Sequence, residues 1–183
     1  MKKNKGYTLV EMIIVIAIMA ILSGVSFVTI YVIRIGKRNA AIHTFENQIS
    51  NCLIKTKAIS DVGNVNDELC MRIRYNDTDN NYIITLAKHN GTNYTDIPDT
   101  TVELTKEVGT IVYTSSDTNQ IATDSGDDMI IQFVKSDGSV KYGGGTYRFY
   151  SRGSIPPKNQ DEGGDDSFAT ITLDAITGNH TSQ

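Results

Sequence analysis

YTLVEMIIVIAIMAILSGVSFVTIYVI, residues 7–33, is an apolar stretch of 27 residues that contains a single charged side chain, Glu11. It has no Pro, Lys or Arg. At 1.5 Å per residue, a helix of this length measures about 40 Å, whereas the hydrocarbon core of a bilayer is about 30 Å thick. The stretch therefore predicts one membrane-spanning helix.

The residues before this stretch form a short basic leader. Lys2, Lys3 and Lys5 precede Gly6, and the apolar run starts directly afterwards. A secretory signal peptide would instead have about 7–15 apolar residues followed by a small-x-small cleavage site. The pattern predicts processing before the apolar run, so that the run stays in the product.

Together, the basic leader, Gly6, Tyr7, the segment Thr8-Leu-Val-Glu11 and the long apolar helix resemble a type IV prepilin or pseudopilin. The resemblance implies that a prepilin peptidase cuts after Gly6 and methylates the new N-terminus at Tyr7. The family more often has Phe at the position of Tyr7. It also implies the partners: other pilin or pseudopilin subunits through the N-terminal helix, an inner-membrane assembly platform, and membrane lipid.

Glu11 is the fifth residue of the predicted mature chain. A lone carboxylate inside a membrane helix costs about 2.5–3.5 kcal/mol on insertion scales and points to a function. The resemblance implies that Glu11 pairs with the Tyr7 amine of a neighbouring subunit and sets the axial register during assembly. The alternative is an acid that is tolerated near the membrane face, where the helix dipole favours it.

Composition bears on the part after the helix. The net charge is −4, and loss of three leader lysines takes it to −7. An acidic product argues against a nucleic-acid-binding surface, which needs clustered Lys and Arg. Arg72 and Arg74 could form a local basic patch, but they alternate along one strand face, which a solvated face explains.

The sequence contains no motif of an enzyme or cofactor site, so we expect no enzyme, no cofactor and no metal. Loop acids could bind calcium, although their spacing differs from the EF-hand, and solvated carboxylates are the simpler interpretation. These acids are Asp124, Asp127, Asp128, Asp161, Glu162, Asp165 and Asp166.

The leader lysines predict a cytoplasmic N-terminus under the positive-inside rule, although Arg34, Lys37 and Arg38 at the other end of the span oppose it. The prepilin resemblance favours a single-pass cytoplasmic membrane protein whose head lies outside. After assembly, the subunit would belong to an extracellular or periplasmic filament.

Two cysteines, Cys52 and Cys70, form an even pair in a domain expected outside the cell. The sequence therefore predicts a disulfide that ties the helix to the first strand. The alternative is two reduced, buried side chains.

The helix should continue past the membrane, since Ala41, Phe45, Ile49, Cys52 and Thr56 recur at helical spacing. We expect it to end near residues 61–63. This gives a leader at 1–6, a transmembrane helix at 7–33, an amphipathic continuation at 34–62 and a β-rich head at 63–183.

Alternating and turn-flanked segments after the helix predict strands, most clearly 68–75, where Leu69, Met71 and Ile73 alternate with polar residues. Further strands are expected at 82–87, 101–104, 110–114, 129–135, 140–142, 146–150 and 167–173. The fold class is therefore α+β, with a long N-terminal helix packed on an antiparallel β-sheet head.

Two segments in the second half resemble H-type minor pseudopilins of type II secretion and related minor type IV pilins. They are Ile131-Gln-Phe133 with Asp137-Gly138-Ser139 and the glycines 143–145, and the ending ATITLDAITGN at 169–179. Those proteins usually have a basic residue where Asn179 stands.

The resemblance predicts a structural subunit of a type IV pilus-like or type II secretion-like filament, and more specifically a minor subunit that starts assembly. The alternatives are a major pilin, or a DNA-uptake or adhesion module on the same anchor.

Overall fold

A computed structural model describes residues 7–58, 68–90, 93–115, 119–122, 128–154 and 166–183. It divides into two compact units, residues 1–37 and residues 38–183. The first unit consists of the N-terminal part of helix α1, which runs from Leu9 to Ala58. The second unit contains the rest of α1 and all strands.

The first unit exposes its apolar side chains throughout its described part, as a membrane helix outside its membrane must. The helix is long and apolar enough to cross a bilayer. Three of its hydroxyl groups bond within the helix: Ser23, Ser26 and Thr29 each donate to the carbonyl four residues earlier at 2.7–3.0 Å. Such bonds satisfy polar groups where no water is present.

The second unit is built on the amphipathic end of α1. The helix buries the predicted stripe together with Ile42, whereas His43 and Asn47 on the other side are exposed. The predicted end of the helix near residues 61–63 lies outside the part of the chain that the structure describes. The described helix ends at Ala58.

Eleven strands follow among the described residues, all paired antiparallel. They are β1 (Glu68–Asn76), β2 (Asn81–His89), β3 (Tyr94–Asp96), β4 (Val102–Glu103), β5 (Val108–Thr114), β6 (Asn119–Ala122), β7 (Met129–Phe133), β8 (Val140–Tyr142), β9 (Gly145–Ser151), β10 (Ala169–Leu173) and β11 (His180–Ser182).

These strands form two sheets rather than one. The first has the order β3-β2-β1-β7-β8, with β4 also paired to β2, and the second has the order β11-β10-β9-β5-β6. The α+β class, with the helix against antiparallel strands, is confirmed. The sequence analysis predicted no strand at the positions of β3, β6 and β11.

One hydrophobic core joins the helix stripe to the inner faces of both sheets. Phe45 of α1 lies at its centre, with ring centroids 5.4 Å from Tyr147 and 5.1 Å from Phe149 of β9. The inner face of β1 supplies Leu69 and Met71. The period of two in β1 therefore decides which of its side chains meet the helix.

Two hairpins are closed by loops with the same hydrogen-bond pattern, and we call them the paired loops, residues 134–139 and 174–179. In each, the first residue donates its N–H to the carbonyl of the sixth, at 2.7 Å and 2.8 Å. The fifth residue, a glycine, donates to the carbonyl of the first. These glycines, Gly138 and Gly178, have φ of 82° and 68°, which is left-handed backbone that favours glycine.

The paired loops pack directly against each other. A Cβ added to Gly178 would lie 2.1 Å from the carbonyl oxygen of Gly138. The N–H of Val140 also donates to the carbonyl of Ala175 at 2.9 Å, which connects the two hairpins through their backbones. The first sheet is thus joined to the second by close main-chain contact at this point.

Candidate assembly site

The residues that the sequence predicts for processing and assembly lie at or just before the start of α1. Gly6 lies outside the described residues. Tyr7 and Thr8 precede the helix, and the side chain of Tyr7 is exposed. Glu11 lies in the first helical turn.

Thr8 and Glu11 form a reciprocal capping box. The backbone N–H of Glu11 donates to the Thr8 hydroxyl at 3.3 Å, and the Thr8 N–H donates to Glu11 Oε2 at 2.8 Å. The Thr8 hydroxyl also donates to Oε2 at 3.0 Å. This arrangement satisfies N–H groups that a helix start leaves without partners.

The sequence analysis did not single out Thr8 as a functional residue. The sequence does contain a pattern that could have identified it, because Thr-x-x-Glu before an apolar run is typical of a capping box. The structure adds that Thr8 holds the carboxylate of Glu11 through one oxygen. Both bonds end on Oε2, and Oε1 takes part in neither.

Cleavage after Gly6 would create an amine four residues before Glu11. If the chain is cut after Gly6, the new amine belongs to Tyr7, one residue before the Thr8 N–H that Glu11 already binds. A carboxylate in an apolar segment needs a cation or hydrogen-bond donors to offset its desolvation. Glu11 accepts the bonds from Thr8 on Oε2, and among the described residues no donor bonds its Oε1.

The predicted disulfide between Cys52 and Cys70 is not present in the structure, where both cysteines are free and buried. Strand alternation gives the reason. Cys52 packs in the core with Met71, whereas Cys70 occupies the next position along β1 and lies outside this core cluster. The Cys70 thiol donates to the carbonyl of Ala87 at 3.4 Å instead.

Burial governs the chemistry of both thiols. It raises the pKa of Cys52 to about 12 and that of Cys70 to about 11, from an ordinary value of 9.0. A thiolate is the reactive form of cysteine, so these side chains are poor nucleophiles at neutral pH. The interpretation as reduced, buried side chains fits the structure.

The outer face of β1 is an ion-pair network rather than a plain solvated face. Arg72 bonds Asp96 at 2.7 Å and also pairs with Asp128, while Arg74 bonds Asp96 at 2.7 Å. The guanidinium of Arg72 lies over the ring of Tyr94, 5.2 Å from its centroid. Both arginines are therefore engaged with carboxylates.

The possible calcium-binding acids are only partly described. Asp128 pairs with Arg72, and Asp166 is exposed. The other predicted loop acids lie outside the described residues. Within the described ranges, no group of three or more His, Cys, Asp or Glu side chains could hold a metal ion.

Comparison with known proteins points to the same N-terminal segment. Residues 1–27 match the family model described as the prokaryotic N-terminal methylation motif. The match supports a type IV pilin-like filament subunit. Neither a curated protein nor a solved structure matched the chain.

This pilin-like motif and the long apolar helix fit a membrane-anchored protein. The motif implies processing by a prepilin peptidase and assembly with other pilins. It points to a structural subunit rather than to an enzyme.

Proposed function

We propose that this protein is a structural subunit of a type IV pilus-like or type II secretion-like filament, made as a precursor that is cut after Gly6 and methylated at Tyr7. The observation that carries the proposal is the methylation motif over residues 1–27, with Glu11 in its first helical turn. The head would lie outside the cytoplasmic membrane.

Assembly would proceed by pairing of Glu11 with the Tyr7 amine of a neighbouring subunit. Thr8 holds Oε2 of the carboxylate, so Oε1 is left to accept the amine without loss of the helix cap. Because both groups lie in an apolar environment after assembly, their pairing offsets two desolvation costs together. A subunit in the wrong register would lack this pairing between subunits.

The finer proposal is a minor subunit of the H-type, used when assembly starts. Its support is the sequence resemblance of two segments that form the paired loops, those with Asp137-Gly138-Ser139 and with Thr177-Gly178-Asn179. A major pilin and a DNA-uptake or adhesion module remain alternatives. The acidic head, with its described β1 arginines paired to carboxylates, favours a structural role over nucleic-acid binding.

Substitution of Glu11 separates its charge from its capping role. Glu11→Gln keeps a side chain that completes a capping box but removes the charge, whereas Glu11→Ala removes both. We expect both variants to insert into the membrane and both to be lost from sheared filaments, by about tenfold or more. Immunoblots of membrane and filament fractions measure this, with Thr8→Ala as the variant that keeps the carboxylate.

The N-terminus of the purified protein tests processing directly. Mass spectrometry should find Tyr7 as the first residue, methylated, and Gly6→Val should retain the leader. An intact Met1 in filaments would overturn the proposed function. Normal incorporation of Glu11→Gln would instead limit Glu11 to the helix cap.

A further inference from the structure

Two cations, Arg34 and Lys37, follow the apolar stretch directly. They lie one turn apart on α1, on the same side of the helix, and both belong to the first compact unit. From Met12 to Phe45 the chain contains three cations and no Asp or Glu, so this stretch has a net positive charge.

The third cation, Arg38, belongs to the second unit. Its guanidinium lies 5.5 Å from the ring centroid of Phe168, within the second unit. Its Nε atom is buried. Arg38 therefore belongs to the packing of the head, and Arg34 and Lys37 are the basic side chains of the first unit that follow the membrane span.

The length of the helix places these two side chains at a defined depth. Residues 7–33 measure about 40 Å as a helix, and a bilayer with its headgroups is about 40–45 Å thick. Arg34 and Lys37 then lie at the headgroup layer opposite the processed N-terminus. The side chains of Arg34 and Lys37 are both exposed.

We propose that Arg34 and Lys37 bind the phosphate of an anionic phospholipid while the subunit is in the membrane. The proposal rests on the membrane-anchored subunit proposed above. A guanidinium can bind phosphate through two parallel hydrogen bonds, and an ammonium adds a point charge. Phosphatidylglycerol has a net negative charge that phosphatidylcholine lacks, so binding should discriminate between these lipids.

The charge of the rest of the chain confines the attraction to the lipid to the region of Arg34 and Lys37. From Asn39 onward the sequence has eleven Lys or Arg and twenty Asp or Glu, a net charge of −9. An anionic surface repels such a domain but attracts cations that lie at its own level, such as Arg34 and Lys37. General attraction of the protein to the membrane surface would require the opposite balance.

Full-length mature protein in nanodiscs tests the proposal. The discs contain phosphatidylcholine with a minority of phosphatidylglycerol, and native mass spectrometry counts the lipids retained by the protein. We expect phosphatidylglycerol to be enriched, and Arg34→Gln/Lys37→Gln to reduce the enrichment about tenfold. The matched control, Lys55→Gln/Lys106→Gln, removes two exposed lysines of the second unit and should keep the enrichment.

The other outcomes are distinguishable. Equal enrichment in the double variant would overturn the proposal, and so would displacement by millimolar inorganic phosphate, which indicates a site for the free anion. Self-association that the double variant loses in pure phosphatidylcholine would assign the cations to the acidic head of a second copy. Retention of Met1 in cells would contradict the proposed function but not the lipid site.

Discussion

At the scale of single residues, position within a regular element decides what a side chain can do. Glu11 can cap its own helix because Thr8 lies three residues before it. Cys70 lies one strand position from Met71, and this single step separates it from the core that contains Cys52. Cys52 faces the core from α1, whereas the alternation of β1 turns Cys70 away from the side on which Met71 meets that core.

Alkaline pH should destabilise the fold through these thiols. Their pKa values of about 12 and about 11 in the folded protein exceed the ordinary 9.0, so deprotonation favours the unfolded chain. Their contribution is complete below pH 9 and is lost as pH rises towards 11–12. In detergent, we expect urea unfolding to show a loss of about 1 kcal/mol per thiol between pH 7 and pH 10.

Cys52→Ala and Cys70→Ala serve as controls. Each variant should make the free energy of unfolding depend less steeply on pH, whatever stability the substitution itself costs at pH 7. Peptide mapping without reductant checks the same residues. A Cys52–Cys70 disulfide in the native protein would contradict the structure.

At the scale of elements, the paired loops bring main chain of the two sheets into direct contact. Gly178 approaches the Gly138 carbonyl so closely that no side chain fits, and its φ of 68° adds a second restriction. Each loop also carries an aspartate that accepts backbone N–H bonds, Asp137 from Ser139 and Asp174 from Thr177. The pKa of each carboxyl is lowered by these bonds.

Gly178→Ala should destabilise the head by about 2–3 kcal/mol, because it adds both backbone strain and a main-chain clash. Gly153→Ala is the matched control, since Gly153 has φ of 85° and no atom within 4 Å of an added Cβ. That variant should lose only about 1 kcal/mol. Chemical denaturation of both proteins measures the difference, and equal losses would mean that the close contact contributes nothing.

Sequence periodicity predicted the elements better than their arrangement. The helix stripe and the inner face of β1 were predicted because their spacing repeats over several turns or pairs. The short strands β3, β6 and β11 have too few residues to show a period. The division into two sheets depends on pairing between distant strands, which side-chain alternation within one strand does not encode.

At the scale of the whole molecule, the chain combines an apolar anchor with an acidic globular unit. Either a major or a minor filament subunit needs the anchor, so residues 7–33 cannot discriminate between them. The proposed minor role therefore depends on the head. The acidic composition from Asn39 onward also keeps neighbouring heads apart unless specific contacts offset their repulsion.

Deletion of the gene tests the minor role by filament number. If the protein starts assembly, its loss should reduce the number of filaments several-fold, while those that remain keep their diameter and bulk composition. Electron microscopy and quantitative mass spectrometry of sheared filaments measure both quantities. If this chain supplies most of the filament mass, the major-pilin alternative is correct.

The capping box has a consequence for the peptidase that would process the chain. Proteases hold a substrate backbone extended, and a helix that continued into the leader would hide the Gly6–Tyr7 bond in its own hydrogen bonds. Thr8 stops the helix before that bond, since Tyr7 and Thr8 are already non-helical. If the proposed processing is correct, Thr8 both holds the Glu11 carboxylate and keeps the start of α1 clear of the bond to be cut.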